Sequence, residues 1–149
     1  MQLHFQKMCK KNRKELEMLE IMPEQEGFIE TVRECLEEAD REAEWRPVGI
    51  YDGEILVGFA MYGFFKEDGR VWLDRLLIDR KYQNRGYGRV AVSALLQRLT
   101  EEYTCEQIYL SVYEENEKAI SLYQKLGFLF TGERDTKGEK IMVKKLKNN

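Results

Sequence analysis

Cysteine, proline and long apolar runs are scarce in this chain of 149 residues. The three cysteines, Cys9, Cys35 and Cys105, are odd in number and widely spaced, with no Cys-x-x-Cys pair, which argues against a disulfide framework and a zinc site. No apolar run approaches the roughly 20 residues of a membrane span, and the first residues lack the apolar region of a signal peptide. The sequence therefore predicts a protein of the reducing cytoplasm, with no metal and no membrane partner.

Net charge is also small, at −3, but it is unevenly distributed. The segment from Glu15 to Glu44 contains twelve acidic residues and two arginines, a balance of −10, so the rest of the chain carries about +7. Nucleic acid is a poor partner for this distribution, because the acidic segment repels phosphate and the basic excess is diffuse. The segment would attract a polycation, although charge runs are commonly solvated helix faces.

Strand-like apolar runs and helices with one apolar face follow each other in an order that predicts an α/β (α+β) fold. Hairpins come first and a βαβ crossover later, as expected of a mixed sheet of about seven strands in one domain, residues 1–149. The expected strands are Leu3–Met8, Val48–Tyr51, Ile55–Phe65, Val71–Ile78, Gln107–Val112, Phe128–Gly132 and Lys140–Lys144. The expected helices run from about Asn12 to a break near Met22-Pro23, from about Glu24 through Phe28 and Leu36, from Gly86 onward, and from Asn116 to Leu126.

Residues 83–88, Gln-Asn-Arg-Gly-Tyr-Gly, join a predicted strand to a predicted helix. Glycines here allow a tight turn and leave backbone N–H groups bare at a helix N-terminus, which favours a phosphate. The dinucleotide fingerprint fails because Val90 and Ala91 follow where a third glycine is needed, and no Gly-Lys-Ser/Thr triplet occurs. The segment predicts a phosphate-binding turn of another kind, or a turn alone.

A second motif, residues 116–128, reads Asn-Glu-Lys-Ala-Ile-Ser-Leu-Tyr-Gln-Lys-Leu-Gly-Phe. Together with the first motif it resembles the GCN5-related N-acetyltransferases, whose pyrophosphate loop reads Gln/Arg-x-x-Gly-x-Gly/Ala and whose next helix commonly reads Asn-x-x-Ala-x-x-x-Tyr-x-x-x-Gly-Phe. Further segments resemble bacterial spermine/spermidine acetyltransferases, namely 57–63, 69–75, Ile78-Asp79, Gly132-Glu133 and Gly138-Glu139-Lys140.

The resemblance implies an acetyl-CoA-dependent N-acetyltransferase, with coenzyme A as product and no metal. In this family a β-bulge splays the two central parallel strands, so the backbone of Leu76, Leu77 and Ile78 would run beside the pantetheine arm. A backbone N–H near Leu77 or Ile78 would then polarise the thioester carbonyl. Asn116 would bond the cofactor arm or cap its helix. The implied cofactor-binding residues are Leu76, Leu77, Ile78, Gln83, Asn84, Arg85, Gly86, Tyr87, Gly88, Arg89, Asn116 and Tyr123.

Two residues are expected to move or orient protons. By resemblance Tyr123 is the general acid, because a phenol can protonate a departing thiolate. Asp74 would orient the substrate ammonium group or relay its proton, or else form a salt bridge with Arg75. Strand alternation predicts that Asp74 shares a face with Leu76 and Ile78. Tyr109 and Ser111 are expected to contribute to the substrate wall.

The expected reaction is direct attack by a primary amine, most simply that of spermine or spermidine, on acetyl-CoA in a ternary complex. An acetyltransferase of a protein N-terminus or another small amine, and a non-catalytic acyl-CoA-binding module, remain alternatives. A homodimer is also left open by the resemblance.

Overall fold

The structure, a computed structural model, describes residues 2–21 and 31–146. Its sheet has the order β1-β2-β3-β4-β5-β7-β6, and only the β4–β5 pair is parallel. The strands are β1 (Leu3–Lys7), β2 (Trp45–Asp52), β3 (Ile55–Phe65), β4 (Arg70–Ile78), β5 (Gln107–Val112), β6 (Leu129–Arg134) and β7 (Lys140–Lys145). The α-helices are α1 (Arg13–Glu17), α2 (Val32–Arg41), α3 (Tyr87–Tyr103) and α4 (Glu117–Lys125), with a 3-10 helix at Arg80–Tyr82. The predicted mixed sheet of about seven strands is confirmed.

Helices cover both faces of this sheet. Alternate residues of β3 point to opposite faces, and they pack in different clusters. Ala60 and Tyr62 join the cluster that includes the apolar side of α3, whereas Phe59 and Met61 join the cluster of α1 and α2. All four residues are almost fully buried. The central strands therefore lie between two apolar clusters, one on each face of the sheet. Packing against both clusters fixes the position of β4.

A β-bulge interrupts β4 at Asp74. On β3, Met61 pairs with Arg75 and Tyr62 with Leu73, so Asp74 is the extra residue. Strict alternation does not hold through this point, since Leu73 and Ile78 pack in the same cluster although they are an odd number of residues apart. The predicted bulge is confirmed. Because Asp74 is itself the extra residue, strand alternation alone does not decide its face, and the common face with Leu76 and Ile78 stays a prediction.

The first N-terminal helix is shorter than expected, and the second begins with a capping box. α1 ends at Glu17, and the chain beyond it bonds to the end of β4, where Arg80 N–H donates to the Glu20 carbonyl at 2.8 Å. α2 begins at Val32, because the extended residue Thr31 closes a reciprocal capping box with Glu34. The predicted helix start near Glu24 and the break at Met22-Pro23 lie outside the described residues, as does Phe28. Across the described ranges, no helix is long and apolar enough to cross a membrane.

Candidate active site

A gap opens between the two parallel strands at the centre of the sheet. β4 and β5 are paired only at Trp72 and Tyr109, so the strands separate beyond this point. The separation leaves a cavity of about 70 Å³, which we call the inner cavity. It is lined by Asp74, Arg75, Leu76, Ser111, Val112, Tyr113, Asn116, Ala119, Tyr123 and Glu139. The structure thus brings together Asp74, Leu76, Ser111, Asn116 and Tyr123 among the residues predicted from sequence.

Tyr123 is positioned by the end of α4. The helix ends with Gly127 at φ +98°, and Phe128 N–H donates to the Tyr123 carbonyl at 3.0 Å, the pattern of a glycine-terminated helix. The Phe128 ring, which is fully buried, meets the Tyr123 ring edge-on at 5.7 Å between centroids. Burial raises the pKa of Tyr123 to about 12, against an opposing effect of the Arg75 guanidinium. The hydroxyl therefore stays protonated at neutral pH and can act as a hydrogen-bond donor inside the cavity.

Asp74 and Arg75 are in direct contact at the bulge. Arg75 Nη1 donates to the Asp74 carbonyl at 2.8 Å and lies 3.8 Å from Asp74 Oδ1. Both side chains are largely buried, with 9% of Arg75 and 18% of Asp74 exposed. The salt bridge expected as the structural role of Asp74 is thus formed, and it coexists with a place in the inner cavity.

A larger, open cavity of about 240 Å³, here called the outer cleft, adjoins the inner cavity. Four residues line both spaces, Asp74, Arg75, Ser111 and Glu139. The remaining lining residues of the outer cleft are Glu38, Trp45, Phe65, Glu67, Asp68, Trp72, Asp135, Thr136 and Lys137. Six carboxyl groups and three large aromatic rings therefore surround the entrance, against two cationic side chains. This combination attracts organic cations, through charge and through cation–π contact.

The phosphate-binding turn predicted at 83–88 leads into α3. Gly86 is the N-cap of the helix at φ +83°, and it supplies no capping side chain. No atom lies within 4 Å of the position that a Cβ at Gly86 would occupy. No capping side chain therefore occupies the first backbone N–H groups of α3, those of residues 87–89. Free N–H groups at a helix N-terminus are the geometry that accepts a phosphate group.

Side chains of this turn form hydrogen bonds with neighbouring elements and so stabilise its conformation. Gln83 Nε2 donates to the Ile78 carbonyl at 2.7 Å and so connects the turn to the end of β4. Asn84, at φ +63°, accepts from Lys118 Nζ at 3.2 Å, and the Tyr87 hydroxyl donates to Asp52 at 2.7 Å. The exposed Arg85 lies 5.7 Å from the Tyr82 ring.

Gly88 and Arg89 lie in the first turn of α3. A Cβ at Gly88 would meet only the Leu122 side chain, at 3.8 Å, so α3 and α4 approach closely here. Arg89 is exposed. Leu77 and Ile78 are buried, and Leu77 packs with the α1 and α2 cluster, so only backbone groups of these two residues could face a ligand.

Asn116 caps α4, since its Oδ1 accepts the Ala119 N–H at 3.4 Å. The same residue lines the inner cavity. Tyr109, in contrast, lies outside both the inner cavity and the outer cleft. Its ring packs beside Trp72 and under the Arg70 guanidinium, 4.2 Å from the ring centroid.

The acidic segment divides into two groups. Asp40 forms a bidentate pair with Arg13, with a shorter distance of 2.8 Å, and so is occupied away from the cavities. Glu38 lines the outer cleft, and it also lines a neighbouring acidic hollow with Glu34, Glu37 and Glu42. Only part of the charge run therefore faces the candidate site. Three further acids of the segment, at 24, 26 and 30, lie outside the described residues.

Of the four residues that line both cavities, two were not singled out from sequence, Arg75 and Glu139. Arg75 was considered only as a salt-bridge partner, and Glu139 only as part of a resembling segment, because a Gly-Glu-Lys triplet in a polar loop is typical of a solvated turn. Glu139 is only 3% exposed. Among the described residues no cluster of three or more His, Cys, Asp or Glu side chains could hold a metal.

Comparison with known proteins agrees with this geometry. Residues 11–128 match the model of the acetyltransferase (GNAT) family. The chain is 45% identical to a spermine/spermidine N(1)-acetyltransferase of Bacillus subtilis (strain 168), covering 98% of this chain and 100% of that protein. Among solved structures, it is similar to the PaiA N-acetyltransferase of Thermoplasma acidophilum in complex with coenzyme A, with a TM-score of 0.72, 18% identity and coverage of 98% and 100% of the two chains.

The spermidine N-acetyltransferase of Vibrio cholerae, solved with CoA and spermine, gives a TM-score of 0.73 at 19% identity, covering 95% of this chain and 94% of that one. At such identities the two solved structures show the fold alone, whereas the family match and the Bacillus relative cover most of the sequence. The protein therefore belongs to the acetyltransferase (GNAT) family.

Proposed function

We propose that this protein transfers the acetyl group of acetyl-CoA to a primary amine of a polyamine, spermidine or spermine. The observation that carries the proposal is the junction of the outer cleft with the inner cavity, because it connects a carboxylate-rich, aromatic entrance to the Tyr123 hydroxyl. The relative from Bacillus subtilis is named as a spermine/spermidine N(1)-acetyltransferase, and its 45% identity over the whole chain supports the same substrate class here.

The residues present fit acetyl-CoA. The bare start of α3 at Gly86 and the open space beside it suit a pyrophosphate, which the N–H groups of residues 83–89 would hold. The backbone of Leu76–Ile78, next to the gap between β4 and β5, would hold the pantetheine arm, with Asn116 at its side. When bound, acetyl-CoA supplies an activated acetyl thioester, and the protein positions it and donates protons around it.

The outer cleft suits a flexible polycation. Its carboxyl groups can pair with the ammonium groups that are not acetylated, while Trp45, Phe65 and Trp72 offer ring faces to the methylene chain and to the charges. Glu38 continues this acidic surface toward α2. A monoamine would use only the innermost part of this surface. Cys9, Cys35 and Cys105 form no disulfide within the described residues, which suits the reducing cytoplasm, where such a substrate would be met.

The first experiment compares amines. We expect spermine and spermidine to be acetylated with higher kcat/KM than a monoamine of similar length, measured as thiol release from acetyl-CoA. Higher ionic strength should reduce this advantage, because salt screens the exposed acids. Asp74→Asn should lower kcat/KM for polyamines while acetyl-CoA affinity stays nearly constant. A better rate with a monoamine or a peptide N-terminus at physiological salt would contradict the polyamine assignment, and no thiol release with any amine would favour a binding module.

The second experiment concerns the phosphate-binding turn. Gly86→Val places a branched side chain at φ +83°, in the space left open beside the start of α3. We expect acetyl-CoA affinity to fall at least about tenfold, or about 1.4 kcal/mol, as measured by calorimetry. The matched control is Gly132→Val, which carries the same kind of backbone strain at φ +90° in β6. Equal affinities of the two folded variants would exclude residues 83–89 as the pyrophosphate site.

A further inference from the structure

Glu139 is a buried carboxyl group at the junction of the two cavities. It lies directly before β7, is 3% exposed, and lines both the inner cavity and the outer cleft. Its backbone is fixed by Asp135, whose Oδ1 accepts the Glu139 N–H at 2.8 Å and whose N–H donates to the Glu139 carbonyl at 2.9 Å. The carboxyl group is thus held where an amine would pass from the cleft toward Tyr123.

The charges around Glu139 come from several elements. Arg75 on β4 and Lys137 in the β6–β7 loop favour its ionised form, whereas Asp135 in the same loop opposes ionisation. Asp74, on the β4 bulge, and Tyr123, on α4, line the inner cavity with it. Burial is the largest influence, and together these effects raise the pKa of Glu139 to about 7. A carboxylate of this basicity accepts a proton far more readily than an exposed glutamate does.

We propose that Glu139 is the proton acceptor for the substrate ammonium group, an assignment that rests on the proposed function. The ammonium nitrogen first gives one proton to the Glu139 carboxylate. The resulting amine lone pair forms the C–N bond to the thioester carbonyl carbon, and the C–S bond breaks. Tyr123 gives its hydroxyl proton to the departing sulfur and regains one from the nitrogen, which leaves a neutral amide. Glu139 then releases its proton to solvent through the outer cleft, so the net products are amide, thiol and one proton.

Asp74 has a different role in this arrangement. It contacts Arg75 and lies on the strand beside the gap, so it orients the ammonium group while Glu139 takes the proton. Arg75, which acts electrostatically on both Glu139 and Tyr123, is a positioning residue between the proton acceptor and the proton donor.

Glu139→Gln tests the assignment, because it keeps the shape and removes the proton acceptor. With spermidine, the wild-type kcat/KM should rise with pH through an apparent pKa of about 7. In the variant this rise, the acidic limb of the pH profile, should be absent. The kcat at neutral pH should fall about 10²-fold, while acetyl-CoA affinity is unchanged. Glu67→Gln is the comparison, since Glu67 lines the outer cleft but not the inner cavity. Glu67→Gln should raise the KM for spermidine and retain the acidic limb of the pH profile.

Two measurements need no substrate. In the ligand-free protein labelled with ¹³C-carboxyl glutamate, one resonance should titrate near 7 and be missing in Glu139→Gln. Because the pKa of Glu139 is raised above that of the unfolded chain, its contribution to stability is lost as pH rises through about 7. The Gln variant should therefore melt at a higher temperature than wild type at pH 8 and at a similar one at pH 5. A purely structural glutamate would give a less stable variant at both pH values.

The outcomes separate the two proposals. If wild type releases no thiol with polyamines, the proposed function is wrong. If wild type is active and Glu139→Gln keeps its rate and its acidic limb, only the role of Glu139 is wrong. Should Glu139→Gln not fold, Glu139→Asp replaces it, and it should retain the limb with a lower kcat. The absence of a glutamate titrating near neutrality in wild type would also overturn the assignment.

Discussion

Replacing Tyr123 with phenylalanine is expected to lower kcat about 10²-fold, the low end of the range for general acid–base catalysis. The substitution removes only the hydroxyl that lines the inner cavity and leaves the ring packed against Phe128. A coenzyme thiol with a pKa of about 8.5 leaves as a thiolate. The step that should slow in the variant is therefore the one in which the C–S bond breaks and the sulfur is protonated. Acetyl-CoA affinity should change little, because the predicted phosphate and pantetheine contacts are backbone groups elsewhere.

The raised pKa of Tyr123 makes this prediction more specific. A phenol with a pKa of about 12 remains protonated across the working range, so no alkaline limb below roughly pH 11 should come from this group. Such a phenol is a weak acid toward a thiolate, so its proton must be replaced as it leaves, in this case by one from the amine nitrogen. The matched control is Tyr109→Phe, since the Tyr109 hydroxyl bonds to Gln107 at 2.9 Å and lies outside the inner cavity. Equal turnover of Tyr123→Phe and Tyr109→Phe would mean that water protonates the sulfur.

The sequence predicted most of the sheet because the relevant signals are local. Hairpin turns at Gly53 and Gly69 take positive φ, as an Asp-Gly turn suggests. α4 has the predicted Asn116 cap and the predicted glycine after its end. The end of α1 was missed because the chain beyond it makes a long-range contact with Arg80, and the capping box at the start of α2 is not revealed by amphipathic periodicity.

The site was predicted less completely than the fold, for a physical reason. Motif residues such as Gly86 and Tyr123 can be recognised in the sequence, whereas the burial and the charged neighbours of a polar side chain cannot. Glu139 stands between Gly138 and Lys140 at the end of a polar loop, yet it is buried and lines the inner cavity beside the gap between β4 and β5. The bulge was implied by the family resemblance, but its exact position at Asp74 is visible only in the register of β3 against β4.

The final Gly127-Phe128 pair of the second motif is expected to act through packing. Phe128 is fully buried in the main core cluster and holds the Tyr123 ring. Phe128→Ala should lower the free energy of unfolding by about 3–5 kcal/mol, the usual cost of an aromatic-to-alanine cavity. That is a large fraction of the roughly 5–15 kcal/mol that stabilises a domain. Urea denaturation at constant m-value measures the loss.

Phe128→Leu is the control that separates volume from ring geometry. It keeps most of the apolar contact and forfeits the edge-on aromatic pair, worth about 0.5–1.5 kcal/mol, so its loss of stability should be much smaller. Because the Tyr123 hydroxyl remains, the folded Leu variant should retain more activity than Tyr123→Phe. If Phe128→Ala lost less than about 1 kcal/mol, the core around α4 would be able to collapse into the cavity. Phe128 would then have to contact the ligand directly, rather than act by positioning Tyr123.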